Sequence, residues 1–231
     1  RGVLTPDAFL PVAEQLKLVP EIDRQVINYG LDRMADLNGE GLFVPKISFN
    51  AGLAQITNPD LARIVRSKDI GFTRVSLEIL ESVLLEGQDA EFLERINDLR
   101  FQDFGIEMDD FGSGHASVIS LQKLSPDIMK LDRELVAPID RSETARSLVA
   151  SMIEMGKALG IDVLAEGVET EAHVDILHDL GCDAFQGHFF APPMPFEELA
   201  EFARQGFDEA LQKVSARSAS SRRMRAASGQ P

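Results

Sequence analysis

The chain has 231 residues, of which 44% are hydrophobic and 26% charged, a composition that excludes a disordered or fibrous protein. Its formal net charge of −15 argues against a nonspecific binder of nucleic acid polymers, because such binding depends mainly on Lys and Arg. No apolar run approaches the ~20 residues of a membrane span and no signal-peptide pattern opens the chain, so we expect a soluble, cytoplasmic domain without a membrane segment.

The order of the predicted elements is an alternation of strands and helices. Thr5-Pro6-Asp7 predicts a helix start, because a hydroxyl cap, an early proline and an acidic residue are all favoured there. Two helices are expected first, over about 6–17 and 21–37. There follow strand 44–49, a helix opening at 58–60, strand 74–80, helix 89–99, strand 106–109, helix 117–124, strand 128–131, helix 143–159, strand 163–165, helix 171–180, strand 184–186 and helix 196–207.

This alternation predicts a parallel sheet with covering helices, as a closed barrel or an open sheet. The length and short connections favour a (β/α)₈ barrel of the TIM type. We expect about seven of its eight strands, and because the chain opens with helices we expect the first strand to be absent. Residues 1–208 are the predicted domain, and 209–231, which are small, polar and basic, are predicted to be a disordered tail.

Polar residues end nearly every predicted strand. They are Asn50, Glu78 with Glu81, Asp109 with Asp110, Lys130 with Asp132, Glu166 with Glu169, and Gln186. In a β/α barrel these strand ends meet at one mouth, where active sites lie. Ionised carboxylates crowded there raise one another's pKa unless cations lie between them. Oxygen ligands suit Mg²⁺ and Mn²⁺, and a bridging carboxylate can hold the two ions used in phosphodiester cleavage.

Asp109 and Asp110 are the best candidates for that bridging role. Adjacent residues of a strand point to opposite faces, so two neighbouring aspartates would ordinarily diverge. The strand gives way here to the glycine-containing segment 111–114. We therefore expect both carboxylates to turn toward the same ions.

Six segments of the chain resemble the EAL domain family in order and spacing, over about residues 3–207. They are SFNAG, SLEILES, MDDFGSGHAS, DIMKLDR, VLAEGVET and AFQGHFFAPPMP. Each motif alone is weak evidence, but chance agreement of all six is very improbable. The resemblance implies an EAL-type barrel that hydrolyses cyclic di-GMP to linear pGpG with two divalent cations, Mg²⁺ or Mn²⁺, in bacterial second-messenger signalling.

The resemblance also implies a role for each polar strand end. The implied metal ligands are Asn50, Glu78, Asp109, Asp110 and Glu166. The implied catalytic residues are Lys130, Glu166, Glu169 and Gln186. Lys130 would contact the attacking water or the scissile phosphate, and the other three would surround the ions and the water. Asp132 and Gln186 are the expected substrate contacts, and Glu81 would steady the loop after the aspartates.

Two departures from the family pattern affect these expectations. The Glu-Ala-Leu strand, which carries a further metal-binding glutamate and a substrate-binding arginine, is absent from this sequence, so we expect this chain alone to be catalytically impaired. Ala191-Pro192 stands where the family often has glycine and a basic residue.

The resemblance also implies the partners of the protein. The expected ligand is cyclic di-GMP, and no nucleic acid polymer is expected to bind. The domain is expected to form a homodimer and to be fused to an upstream sensor or GGDEF-type domain.

Other interpretations of the same residues are weaker. A catalytically inactive EAL-type receptor for cyclic di-GMP is the main alternative, although such receptors typically show substituted metal ligands. A barrel that only binds a protein partner would leave the polar strand ends unexplained. Asp110-Phe111-Gly112 also resembles the Asp-Phe-Gly of protein kinases, but no glycine-rich loop or His-Arg-Asp segment precedes it.

The remaining single residues are expected to have ordinary roles. Cys182 is the only cysteine, which excludes an intrachain disulfide and favours a small buried side chain. His173 and His178 lie five apart, off the spacing of helical zinc ligands, and are expected on the surface. His115 and His188 are expected to line the pocket at most.

Overall fold

The computed structural model describes residues 4–80, 82–83, 90–112 and 118–205. The described strands are β1 Lys46–Asn50, β2 Arg74–Leu80, β3 Gly105–Phe111, β4 Ile128–Leu131, β5 Asp162–Ala165 and β6 Ala184–Phe185. The described helices are α1 Pro6–Gln15, α2 Val19–Gly39, α3 Leu53–Ile56, α4 Leu61–Arg66, α5 Ala90–Phe101, α6 Val118–Leu124, α7 Arg133–Val136, α8 Glu143–Leu159, α9 Glu171–Leu180 and α10 Phe196–Arg204. Glu81, His115 and the predicted tail 209–231 lie outside these residues.

The strands form one curled parallel sheet in the order β1 to β6, each strand pairing with the next in the chain. The predicted parallel β/α architecture is confirmed. The expectation of about seven strands is wrong for the described residues, which contain six. Each of the six strands corresponds to one of the six strand segments placed above, so the expected number exceeded those segments by one.

Helix ends follow local capping. Ser142 caps α8 by accepting a hydrogen bond from the Ala145 amide at 3.2 Å, and Gly160, at φ 69°, ends it in the left-handed conformation that glycine adopts without strain. The predicted bounds 143–159 are confirmed for this reason. The first helix ends at Gln15 rather than 17, because Lys17 has a φ of 56° and leaves the helix.

Helix α10 closes the outer layer by contacting α2. The guanidinium of Arg33 lies 5.2 Å from the ring centre of Phe196 and 5.3 Å from that of Tyr29, distances typical of cation–π contacts. Arg204 pairs with Glu40 at 2.6 Å. The first and last long helices therefore meet, although β1 and β6 do not pair with each other among the described strands.

The two faces of the sheet differ in chemistry. Val75, Leu77 and Ile79 of β2 point to one face and join a core that includes Phe92 and Leu31. The alternate residues of the strands, among them Glu78, point to the other face. Among the described residues no helix is both long and apolar enough to cross a membrane.

Candidate active site

The ammonium of Lys130 joins three carboxylates from neighbouring strands. Its Nζ lies 2.7 Å from Oδ1 of Asp109, 2.7 Å from Oε1 of Glu166 and 3.0 Å from Oε1 of Glu78. The Lys130 side chain is only 4% exposed. Four of the residues that the sequence analysis placed at strand ends thus form one buried cluster.

Parallel pairing brings these residues together. Asn50 is the register partner of Glu78, and Leu80 at the end of β2 is the partner of Asp109. The Glu166 amide, one residue after β5, donates to the carbonyl of Leu131 at 3.1 Å. Because the strands run the same way, their carboxyl ends meet at one edge, where Asn50 completes the row.

Asp109 and Asp110 face the same space despite being neighbours in a strand. The pairing of β3 with β4 shifts register between Met108 and Phe111, and Asp110 has a φ of 53°, a conformation that Asp tolerates better than most residues. Carboxylate oxygens of Asp109, Asp110 and Glu166 all lie within 4.8 Å of one another. This irregularity in the pairing of β3 with β4 therefore turns both aspartates toward a common point, as the sequence predicted.

The electrostatics of the cluster reflect crowded negative charge in a buried place. Burial raises the pKa of Glu78, with Asp109 and Glu107 adding to the effect and Lys130 opposing it. Burial also raises the pKa of Asp110, with Asp109, Asp132 and Glu166 adding to it. Burial alone would lower the pKa of Lys130, but Asp109, Glu166 and Glu78 outweigh it and raise that pKa above its ordinary value.

The donor set fits a divalent cation. Oδ1 of Asp109 is buried and accepts no well-aligned hydrogen bond from the described residues. The ammonium of Lys130 therefore compensates the charge of this carboxylate but leaves lone pairs of Oδ1 available to a cation. Asp110 and Glu166 offer further oxygens at the same point. Hard cations such as Mg²⁺ and Mn²⁺ prefer such oxygen ligands.

A second polar layer lies beneath the cluster and was missed by sequence reasoning. Glu107 is 1% exposed and accepts hydrogen bonds from Nζ of Lys46 at 2.8 Å and from the Ser48 hydroxyl at 3.1 Å. Its position two residues before Asp109 places it on the same face of β3, which is the signal that could have found it. A buried carboxylate needs such partners, so this layer keeps the floor of the site compact.

A pocket of about 400 Å³ lies beside Glu166. Its polar lining includes Arg133, Glu169, Gln186 and His188. The Gln186-Gly187 turn is fixed by close packing, since a Cβ at Gly187 would lie 2.2 Å from the carbonyl oxygen of Val168. The structure therefore brings Glu166, Glu169 and Gln186 together, and His188 lines the pocket as expected.

Residues 1–193 match the family described as the EAL domain. The chain belongs to the EAL domain family. It is 31% identical over 202 residues to MucR of Pseudomonas aeruginosa, a bifunctional diguanylate cyclase/cyclic di-GMP phosphodiesterase, in a match that covers 86% of this chain and 29% of MucR. This EAL domain chain thus spans less than a third of that curated relative.

Two solved structures resemble the EAL domain described above. The MucR phosphodiesterase in complex with cyclic di-GMP superposes with a TM-score of 0.74 at 30% identity, covering 86% of this chain and 82% of the other. The manganese and cyclic di-GMP complex of Klebsiella pneumoniae BlrP1 gives a TM-score of 0.69 at 28% identity, covering 83% and 49% of the two chains. The predicted barrel class is confirmed by these likenesses.

Asp132 has a structural role in the EAL domain, besides the substrate contact that the sequence analysis predicted for it. Its carboxylate caps α7 by accepting a hydrogen bond from the Glu134 amide at 2.6 Å. It also adds negative charge near Asp110. The substrate contact expected for Asp132 stays a prediction, as does the loop-steadying role of Glu81.

The expectation that His173 lies on the surface is wrong. It is 4% exposed, and its Nδ1 accepts from the Glu169 amide at 3.5 Å. Its backbone amide is held by the capping hydroxyl of Thr170 at 3.2 Å. The imidazole is buried because it packs under the loop that follows β5, whereas His178 is exposed as expected. The prediction that Cys182 is buried is confirmed.

Proposed function

We propose that this EAL domain is a metal-dependent phosphodiesterase that hydrolyses cyclic di-GMP to linear pGpG. Water adds its oxygen to phosphorus, the bond from phosphorus to a ribose 3′-oxygen breaks, and that oxygen takes up a proton. The observation that carries the proposal is the buried cluster of Lys130 with Glu78, Asp109 and Glu166 at the carboxyl edge of the sheet. The names of the EAL relatives support the choice of substrate.

We assign the metal ligands as Asn50, Glu78, Asp109, Asp110 and Glu166. Their oxygens are the only kind of donor in the set, which suits two Mg²⁺ or Mn²⁺ ions, and the buried Oδ1 of Asp109 has lone pairs to spare. When bound, such ions activate a water molecule and stabilise charge on the phosphoryl oxygens. The manganese complex of the BlrP1 structure supports the choice of a divalent cation.

Lys130 serves as fixed positive charge beside the reacting phosphate. Its side chain is nearly inaccessible to solvent and is oriented by three carboxylates, so it needs no rearrangement to face developing negative charge. Glu169 and Gln186 line the adjoining pocket. We propose that they orient water and substrate there, and that Asp132 and Gln186 contact the dinucleotide.

The experiment is product analysis by chromatography. The purified protein is incubated with cyclic di-GMP in Mg²⁺, in Mn²⁺ and in excess EDTA. We expect pGpG in both metals and none in EDTA. Full turnover in EDTA contradicts the metal assignment. Binding of cyclic di-GMP without any pGpG in either metal supports the receptor function in place of the enzyme.

We also propose that residues 1–208 form the folded unit, that residues 209–231 are a tail, and that the domain works as a homodimer in a larger signalling protein. The bifunctional name of MucR supports fusion to another domain. Limited proteolysis with mass spectrometry should remove the tail and spare the domain. Sedimentation velocity of the purified protein tests the dimer, and a monomer at micromolar concentration contradicts it.

A further inference from the structure

The buried imidazole of His173 contacts two segments outside its own helix α9. Its Nδ1 accepts a hydrogen bond from the Glu169 amide, in the loop that follows β5, at 3.5 Å. Its Nε2 faces Oδ1 of Asp140, in the turn before α8, at 3.9 Å. A ring nitrogen that accepts a hydrogen bond carries no proton, so the neutral ring has its proton on Nε2, toward this carboxylate. Each nitrogen therefore faces a group of complementary character.

The start of α9 holds the imidazole in this place. Thr170 is the N-cap, and its hydroxyl accepts from the amide of His173, the third helical residue, at 3.2 Å. These are the positions of a capping box, in which the third residue, usually Glu or Gln, reaches back to an amide at the helix start. Here an imidazole takes that part, and it reaches the Glu169 amide one residue before the cap.

The hydrogen bond from Glu169 to His173 completes the fixing of one peptide unit. On one side of this unit the carbonyl of Val168 accepts from the Phe189 amide at 3.0 Å. On the other side the Glu169 amide donates to the imidazole. A peptide unit is planar, so two bonds on opposite sides fix its orientation. The direction in which the Glu169 side chain leaves the backbone is fixed with it, and that side chain is exposed and lines the pocket of the site.

We propose that His173 is a positioning residue that acts on the hydrolysis of cyclic di-GMP through Glu169. This inference rests on the proposed function, in which Glu169 orients water and substrate. An apolar side chain in place of the imidazole removes the acceptor of the Glu169 amide, and the peptide unit then keeps only its bond to Phe189. The carboxylate is then free to turn away from the reacting groups, and a misplacement of about 1 Å can cost about 100-fold in rate.

The test compares His173→Leu and His173→Gln with the wild type in steady-state hydrolysis of cyclic di-GMP. Leucine is similar in size to histidine but has no acceptor, whereas glutamine is an ordinary capping-box residue whose oxygen accepts from an amide. We expect His173→Leu to lower kcat by about 10–100-fold with little change in KM, and His173→Gln to keep most of the wild-type kcat. The matched control is His178→Leu, at an exposed histidine of the same helix, which should keep the wild-type rate.

A double-mutant cycle with Glu169→Ala separates positioning from a general effect on the fold. If His173 acts through Glu169, His173→Leu should lower kcat no further in the Glu169→Ala protein. Three results would each overturn the inference: a wild-type kcat in His173→Leu, an equal loss in His173→Gln, or the same loss from His173→Leu whether or not Glu169 is present.

Amide hydrogen exchange followed by NMR tests the contact without hydrolysis. The Glu169 amide should exchange slowly in the wild type and in His173→Gln, and faster in His173→Leu, because hydrogen-bonded amides exchange only when the structure opens. Exchange of this amide in the wild type at the rate of an exposed amide overturns the inference, even if a variant fails to fold. A wild type that releases no pGpG in either metal contradicts the proposed function instead, and the exchange rates still decide the contact of His173.

Discussion

Nζ of Lys130 lies 2.7 Å from Oδ1 of Asp109, a buried oxygen that accepts no well-aligned hydrogen bond from the described residues. The contact is therefore mainly one of charge. The ammonium compensates several carboxylates at once, which allows them to stay close together before a metal ion binds.

Replacing Lys130 by Met should destabilise the metal-free protein. Removing one partner from a buried ion pair costs about 3–5 kcal/mol because the other charges are left uncompensated. A bound cation can supply the missing charge, so Mn²⁺ should raise the melting temperature of Lys130→Met by more than that of the wild type. Scanning calorimetry in EDTA and in Mn²⁺ measures both effects.

Lys157→Met is the control for that experiment, since Lys157 pairs with Glu154 on the exposed side of α8 and such surface pairs contribute at most about 1 kcal/mol. Equal responses to Mn²⁺ in Lys130→Met and the wild type would show that the ammonium does not substitute for metal charge.

Asp109→Asn should abolish hydrolysis while the domain remains folded. The two side chains have nearly the same volume, so the core is not disturbed, but the amide removes a charge at the point where three carboxylates converge. Residues that only orient a metal ligand contribute about 10–100-fold to activity, so the loss here should exceed about 100-fold. Steady-state rates and circular dichroism check the two parts. The control is Asp162→Asn, at the exposed start of β5, which should keep the wild-type rate. Wild-type activity in the Asp109→Asn protein would show that Asp109 has no part in the mechanism.

Glu78→Gln should stabilise the metal-free protein near neutral pH. Burial raises the pKa of Glu78 above its ordinary 4.5, so ionised Glu78 destabilises the fold, and this cost is absent below pH 4.5 and complete above the raised pKa. In EDTA, the variant should therefore melt above the wild type at pH 7.5, and the difference should close as the pH falls toward 4.5.

Glu154→Gln, a change of the same kind at an exposed position, should show no such closing. A Glu78→Gln protein that melts below the wild type at pH 7.5 would mean that the contact with Lys130 outweighs burial. That outcome would reverse the assigned sign.

Gly167→Ala should cost more stability than Gly160→Ala. Both glycines have positive φ values, 65° and 69°, so both substitutions incur the ~1–2 kcal/mol penalty of a left-handed residue. Only at Gly167 would the new Cβ meet Arg133, whereas nothing lies within 4 Å at Gly160. Urea unfolding should show the additional loss. Equal unfolding free energies in the two variants would contradict the close packing of Gly167 against Arg133.

Local chemistry in the sequence was sufficient to predict the architecture. Alternating strand and helix patterns predict a parallel sheet, and the caps Ser142 and Gly160 fix the ends of α8, because these interactions involve residues close in the chain. Polar strand ends predict a common site, since parallel strands finish at one edge. The candidate ligands Glu78, Asp109, Asp110 and Glu166 could all be predicted from the sequence in this way.

Tertiary structure alone decided which of these groups touch. The pairing of Lys46 with Glu107, the burial of His173 under the loop after β5 and the position of Arg133 beside Gly167 join residues from separate elements. Periodicity tells which face of a strand a side chain occupies, but strand register and loop packing determine its neighbours. For that reason the sequence predicted the candidate metal ligands as a set, whereas the pocket beside Glu166 and the contacts of Lys130 became visible only in the folded chain.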